Sequence, residues 1–191
     1  MKRIEPSLEE NIAINAAWFF KAESPEVRHF GNAINELLRE VAWSDDCIVE
    51  EVIRHWQPRY SYPEIMLRDV KKQFRQVLAD PKIKEALAKP SGNVELWRER
   101  SFDVILDQEW ISGIFDRVVI WRDAVGNPLA AQLTDYKSNR INYPEKINAL
   151  AKVYRPQISL YRQTLSRLLN LPEEKIETRL LFTVPCRIVS V

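Results

Sequence analysis

Three residues of this 191-residue chain have types and spacings that could do chemistry together: Asp116, Asp135 and Lys137. The turn signal Asp123-Ala124-Val125-Gly126-Asn127-Pro128 separates two stretches rich in β-branched and aromatic residues. A hairpin centred between Val125 and Gly126 sets Asp116 directly opposite Asp135, with Cβ atoms about 5 Å apart. Facing carboxylates repel, and a divalent cation offsets the repulsion; hard oxygen ligands suit Mg²⁺ or Mn²⁺. Lys137 follows Asp135 by two positions, so its ammonium projects from the same face of the strand. Hydrolysis of a phosphodiester needs such a set. The cation polarises the phosphate and acidifies a water, while the lysine orients that water or stabilises developing charge. The same spacing also reads as a surface hairpin bearing an exposed ion pair, because Asp-x-Lys triplets are common.

Those residues need a scaffold, and three regions can be read along the chain. Residues 1 to about 90 look helical. Val27, Phe30, Ile34, Leu37, Leu38 and Val41 recur at helical spacing after Ser24-Pro25, and Ile65, Met66, Val70, Phe74, Val77 and Leu78 repeat the pattern. Asp80-Pro81 reads as the cap and first position of a short helix to about Ala88, followed by the turn cluster Pro90-Ser91-Gly92-Asn93. Val94 to Leu106, Trp110 to Trp121 and Leu129 to Tyr136 read as strands, the third carrying Ala131, Leu133, Asp135 and Lys137 on one face. The remainder predicts a helix starting at Pro156, with Ile158, Leu165, Leu168 and Leu169 buried and Asn170 at its end. Strands over Arg179–Val184 and Arg187–Val191 close the chain. The expected organisation is a single mixed α/β domain over residues 1–191.

Composition bounds the class. The chain is 46% hydrophobic and 29% charged, the profile of a globular domain. It has no apolar run of membrane-spanning length and no secretory leader pattern, and a cytoplasmic location is expected. Cys47 and Cys186 cannot supply the four thiolates of an iron–sulfur cluster and do not make a disulfide framework. The net charge of +1 neither supports nor excludes nucleic acid, since a local basic strip works without a basic total.

Several stretches carry a resemblance, in one consistent order. Gly113-Ile114-Phe115-Asp116-Arg117, Leu133-Thr134-Asp135-Tyr136-Lys137 and the helix bearing Tyr154, Gln157 and Tyr161 resemble the G-x-x-D-R, D-Y-K and Q-x-x-x-Y segments of the nuclease domains of RecB and AddA, members of the PD-(D/E)XK superfamily. Arg98-Glu99-Arg100-Ser101-Phe102 is similar to that family's R-E-x-x-F strand, Pro6-Ser7 to its opening, and Leu181 through Val191 to its closing strand pair. The resemblance implies a three-layer restriction-endonuclease-like α/β fold, with a central mixed sheet flanked by helices and a helical N-terminal part. It implies metal-dependent hydrolysis of DNA, more exonuclease than endonuclease, in recombination and repair. It further implies Asp116 and Asp135 as metal ligands joined by the Tyr136 carbonyl, Lys137 as catalytic lysine, and Gln157 and Tyr161 as supporting or substrate-contacting residues. A helicase motor on the same native polypeptide is expected, and a second subunit belongs to the same expectation. The chain itself has no G-x-x-x-x-G-K-[ST] motif, so this piece carries no motor of its own.

One position departs from the pattern. The family places a histidine ligand in G-x-x-x-H on the first nuclease helix, and here Gly31-Asn32-Ala33-Ile34-Asn35 puts asparagine there. An amide carbonyl can ligate a hard cation, but it is neutral and is not an imidazole. Asn35 therefore leaves open a weakened site, or a nuclease-like domain that binds DNA or serves as a scaffold. His29 and His55 read as ordinary histidines. Glu99 reads equally as an extra acid near the metal and as a solvated strand residue. Lys152, Arg155, Arg162, Arg167 and Arg140 read as phosphate contacts or as a solvated face. Trp18, Trp43 and Trp56 read as core.

Overall fold

The computed structural model describes residues 3–4, 25–106, 108–139 and 144–191. Pro6-Ser7, Trp18 and Arg140 lie outside the described residues. The elements, in chain order, are β1 (Arg3–Ile4), α1 (Pro25–Glu40), α2 (Val49–Trp56), α3 (Glu64–Ala79), α4 (Pro81–Leu87), β2 (Val94–Leu106), β3 (Glu109–Arg122), β4 (Pro128–Lys137), α5 (Pro144–Leu169), β5 (Ile176–Phe182) and β6 (Arg187–Ser190). The strands form one mixed sheet. β3 pairs antiparallel with β2 along one edge; its other edge meets β1, parallel, and then β4, antiparallel. β5 lies parallel to β4 and β6 antiparallel to β5.

Helices cover both faces, as the amphipathic spacing requires. α1, α3 and α4 bury Phe30, Ile34, Leu37, Leu38, Val70, Phe74, Val77 and Ile83 together with Trp56 of α2, against Tyr136 and Leu181 of the sheet. On the opposite face, α5 buries Tyr161, Leu165 and Leu169 against Phe102, Phe115, Val118 and Leu133, and its first half buries Ile147 and Leu150 against Leu180 and Phe182. The Asp80 cap is present: its carboxylate accepts from Lys82 N at 3.0 Å and Ile83 N at 3.1 Å. This is the three-layer α/β arrangement expected.

The structure departs from expectation at four points. Pro156 does not start its helix; α5 begins at Pro144 and carries Pro156 inside. Proline removes the hydrogen bond to the carbonyl four residues earlier, that of Lys152, and both residues are exposed, so water can serve that carbonyl. Leu168 is 44% exposed instead of buried, because the inward stripe of α5 passes through Leu165 and Leu169. Helix α2 was not foreseen; its eight residues are too few for periodicity to stand out. Of the tryptophans, Trp56 is core, whereas Trp43 is half-buried with its ring against the Arg117 guanidinium, 5.0 Å from the centroid.

The β3–β4 register follows the hairpin centred on Val125 and Gly126, from Trp121↔Ala130 to Arg117↔Thr134, with an irregularity only at the turn end, Arg122↔Pro128. The ladder ends at Arg117↔Thr134, one step short of the expected Asp116–Asp135 pair.

Candidate active site

The face that each strand presents explains why the ladder stops. In β2, Trp97 packs against the α5 layer, and so do Phe102, Val104 and Leu106, so the parity changes between them. In β3 the same layer takes Ile111 and Phe115, then Val118 and Ile120. The two switches are level: Arg98 pairs with Arg117 and Arg100 with Phe115, leaving Glu99 across from Asp116 as the unpaired step. Glu99 has φ +49°, a left-handed conformation that costs an L-residue about 1–2 kcal/mol. A local break in both strands thus turns Asp116 out of the regular pleat.

The freed carboxylate finds the next strand. Tyr136 N donates to Asp116 Oδ2 at 2.6 Å, just beyond the last ladder pair. Asp135 is buried beside it, and its Oδ2 lies 2.8 Å from Lys137 Nζ. Lys137 Nζ also donates to Gln157 Oε1 at 3.0 Å and sits 4.2 Å from the centroid of the Tyr154 ring. The Gln157 amide donates onward to the Tyr161 hydroxyl at 3.4 Å. Tyr161 is held by two edge-to-face contacts, 5.5 Å to Phe102 and 5.6 Å to Phe115. Gly113 makes room for this aromatic set, since a Cβ there would lie 2.7 Å from Phe102 Cζ. The chain after Lys137 is pinned by Thr183 N, which donates to the Lys137 carbonyl at 2.8 Å.

Burial and charge set the protonation states. Burial, then the neighbouring Asp135, push the Asp116 carboxyl well above the usual range, against the Tyr136 N–H and Lys137. Burial alone would lower the Lys137 ammonium, but Asp135, the Tyr154 ring and Asp116 raise it on balance, so it stays charged. Burial, helped by Asp135, pushes the Tyr161 hydroxyl up to about 12, leaving it protonated. Glu99 is raised by burial first and by Glu36, against Arg39.

α1 closes the site from the other layer and is tied at two places. Gly31 packs against Ser138, close enough that a Cβ would collide with its hydroxyl. At the far end Arg117 donates to the Val41 and Ala42 carbonyls at 3.0 and 2.6 Å, and Arg98 donates to the Arg39 carbonyl. Cationic side chains thus satisfy the carbonyls at the helix C-terminus. Asn35 sits between these ties, on the face of Gly31. Its Oδ1 is buried and has no hydrogen-bond partner among the described residues.

The structure therefore brings Asp116, Asp135, Tyr136, Lys137, Gln157 and Tyr161 into one connected patch. Glu99 lies at its edge, acting electrostatically on Asp116. Sequence reasoning missed Glu36 and Arg39, whose charges reach Glu99, and Asn139, which accepts from the Tyr154 hydroxyl at 3.0 Å. Nothing in their spacing marked them. The helix α5 basic residues are dispersed: Lys152, Arg155 and Arg167 are exposed, and Arg162 pairs with Glu173 at 3.1 Å. His29 and His55 are exposed.

The donors fit a hard divalent cation: two adjacent carboxylates and an orphaned amide oxygen on the covering helix. Among the described residues no group of three His, Cys, Asp or Glu side chains converges, so main-chain oxygen and water would complete the shell. Also among the described residues, no helix is long and apolar enough to cross a membrane. No curated protein matches the chain. The sequence profile of the PD-(D/E)XK nuclease superfamily matches residues 12–187.

Proposed function

The chain belongs to the PD-(D/E)XK nuclease superfamily, whose members typically use divalent metals, and on that footing we propose that it is a Mg²⁺- or Mn²⁺-dependent deoxyribonuclease. The observation that carries this reading is the single patch in which Asp116 and Asp135 adjoin while Lys137 is held by Gln157. Asp116, Asp135 and the Tyr136 carbonyl are the proposed ligands, with Asn35 as the fourth donor. When bound, the cation polarises the scissile phosphate and acidifies the attacking water. Lys137 stays protonated, so its part is to donate: it orients the water or stabilises charge on the phosphate, and does not act as base. Gln157 aims the ammonium and Tyr161 anchors Gln157. The likeness of the motifs to RecB and AddA supports an exonuclease acting in recombination and repair beside a helicase motor.

A second reading rests on one observation. Asn35 stands where that subfamily has histidine, and a neutral amide holds a cation less firmly than an imidazole-bearing shell, which favours a nuclease-like domain that binds DNA without cutting it.

One experiment separates the two. End-labelled single- and double-stranded DNA is incubated in Mg²⁺ and Mn²⁺ with the parent, Lys137→Ala and Asn35→His. Metal-dependent cleavage that disappears in Lys137→Ala supports the nuclease. Silence in the parent with activity in Asn35→His means a site disabled at one ligand. Silence in all, with no Mn²⁺ bound, overturns the enzyme reading.

A further inference from the structure

Lys137 carries three N–H donors and no acceptor, and its side chain is only 14% exposed. Its Nζ lies 2.8 Å from Asp135 Oδ2 and 3.0 Å from Gln157 Oε1. A third neighbour is aromatic: Nζ lies over the Tyr154 ring, 4.2 Å from its centroid. Tyr154 stands three residues before Gln157 on α5, so one helix face supplies both contacts. The ring itself is held at both ends. Its hydroxyl donates to Asn139 Oδ1 at 3.0 Å, and its body packs against the cluster of Ile147, Leu180 and Phe182, 6.5 Å from the Phe182 centroid. Asn139 follows Lys137 by two positions. The stretch leaving β4 therefore carries the lysine and also grips the ring on which the lysine rests.

Resting on the nuclease reading, we propose that Tyr154 is a positioning residue for phosphodiester hydrolysis: its ring face holds the Lys137 ammonium toward the reacting phosphate, and Asn139 fixes the ring. The choice of an aromatic neighbour has a chemical reason. An oxygen acceptor holds an ammonium by engaging one N–H, and Asp135 and Gln157 already draw on two of the three. A further acceptor would engage the last. A ring face attracts the cation as a whole through its quadrupole, and the attraction grows as water is excluded. The ring thus offsets lost hydration and leaves one donor for the water or the phosphate. It also restrains an ammonium that sits on a flexible four-carbon stem.

The test measures kcat and KM for cleavage of labelled DNA in Mn²⁺ by wild type, Tyr154→Phe, Asn139→Ala and Tyr154→Leu. Three further chains carry, at position 154, phenylalanine with one, two or three ring fluorines. Fluorine draws charge from the ring face and changes its shape little, so a role in packing alone would not respond. These chains also stand in for Tyr154→Leu should that variant not fold. The expected result is a kcat about tenfold lower in Tyr154→Leu, with KM and Mn²⁺ affinity unchanged. Tyr154→Phe and Asn139→Ala stay within about threefold of wild type, and kcat steps down with each fluorine. Urea midpoints in EDTA read the contact without chemistry: the double variant Tyr154→Leu/Lys137→Met loses less than the two single variants summed. The inference is overturned if kcat ignores fluorination, if Tyr154→Phe falls as far as Tyr154→Leu, or if the midpoint losses add. Coupled midpoints in a chain that cleaves nothing strike the nuclease reading and uphold the hold of the ring on Lys137. Cleavage with additive midpoints strikes this inference alone.

Discussion

The Asp116 carboxylate and the Tyr136 main-chain N–H are joined by a 2.6 Å hydrogen bond placed just past the end of the β3–β4 ladder. A side chain thus does the work of a ladder acceptor at the point where the two strands part. The arrangement keeps a backbone donor satisfied while holding the carboxylate close enough to Asp135 for the two charges to interact. It also fixes Asp116 in a setting that is poor for a lone anion and good for a ligand.

That setting makes stability depend on pH in a definite direction. Asp116 titrates well above the usual value in the folded chain, whereas in the unfolded chain it returns to about 3.9. The folded state thus binds this proton more tightly, and stability falls as pH rises from about 4 through the folded value. In EDTA, the melting temperature of wild type relative to Asp116→Asn should rise as pH is lowered from 8 to 5. Apparent Mn²⁺ affinity should move the opposite way, since the cation needs the carboxylate. A difference independent of pH would remove Asp116 as the source.

Lys137→Ala should lose two things at once. Removing one partner of a buried ion pair leaves Asp135 uncompensated beside Asp116, and such losses cost about 3–5 kcal/mol. Chemical denaturation in EDTA checks this. Cleavage in Mn²⁺ should fall by about a hundredfold or more, the usual effect of deleting a transition-state donor. A fully stable Lys137→Ala would show the pair to be solvated, contrary to its 14% and 5% side-chain exposure.

Asn35 should trade stability against metal binding. A buried carbonyl oxygen without a partner costs about 1–3 kcal/mol. Asn35→Leu should therefore melt higher than wild type in EDTA and gain less from added Mn²⁺. Equal Mn²⁺-induced shifts in the two proteins would exclude Asn35 from the shell.

Gly113 is a packing requirement and not a hinge. Gly113→Ala drives a methyl into the Phe102 ring, which is sandwiched against Phe115 at 4.3 Å. Overpacking of this kind costs about 1–3 kcal/mol. Urea midpoints should fall accordingly, and Phe102→Leu in the same chain should recover part of the loss by making room. No recovery would mean that the methyl strains backbone instead.

Much of the fold was legible because its signals are short-range. The turn Asp123–Pro128 and the β-branched runs around it predicted the β3–β4 register, which the structure follows as far as Arg117↔Thr134. Asp80-Pro81 marked the start of α4 because a capping carboxylate acts within three residues of itself. Ile158, Leu165 and Leu169 marked the buried side of α5. Pro156 misled the reading, since local preference says that proline starts helices, and only an exposed Lys152 permits one inside.

By itself, then, the sequence determined which residue types could meet: two aspartates and a lysine at hairpin spacing, a glutamine and a tyrosine one helical turn apart, and an asparagine one turn from Gly31. Tertiary structure decided how they meet. The paired break at Glu99 and Asp116 needs two strands to lose their pleat at one level, which no single strand's pattern records. The clamp of Arg98 and Arg117 on the end of α1 joins residues separated by 59 to 76 positions. That clamp and the contact of Gly31 with Ser138 hold the helix that carries the buried Asn35 Oδ1. Contacts at such range depend on how whole layers pack, and local periodicity carries no information about them.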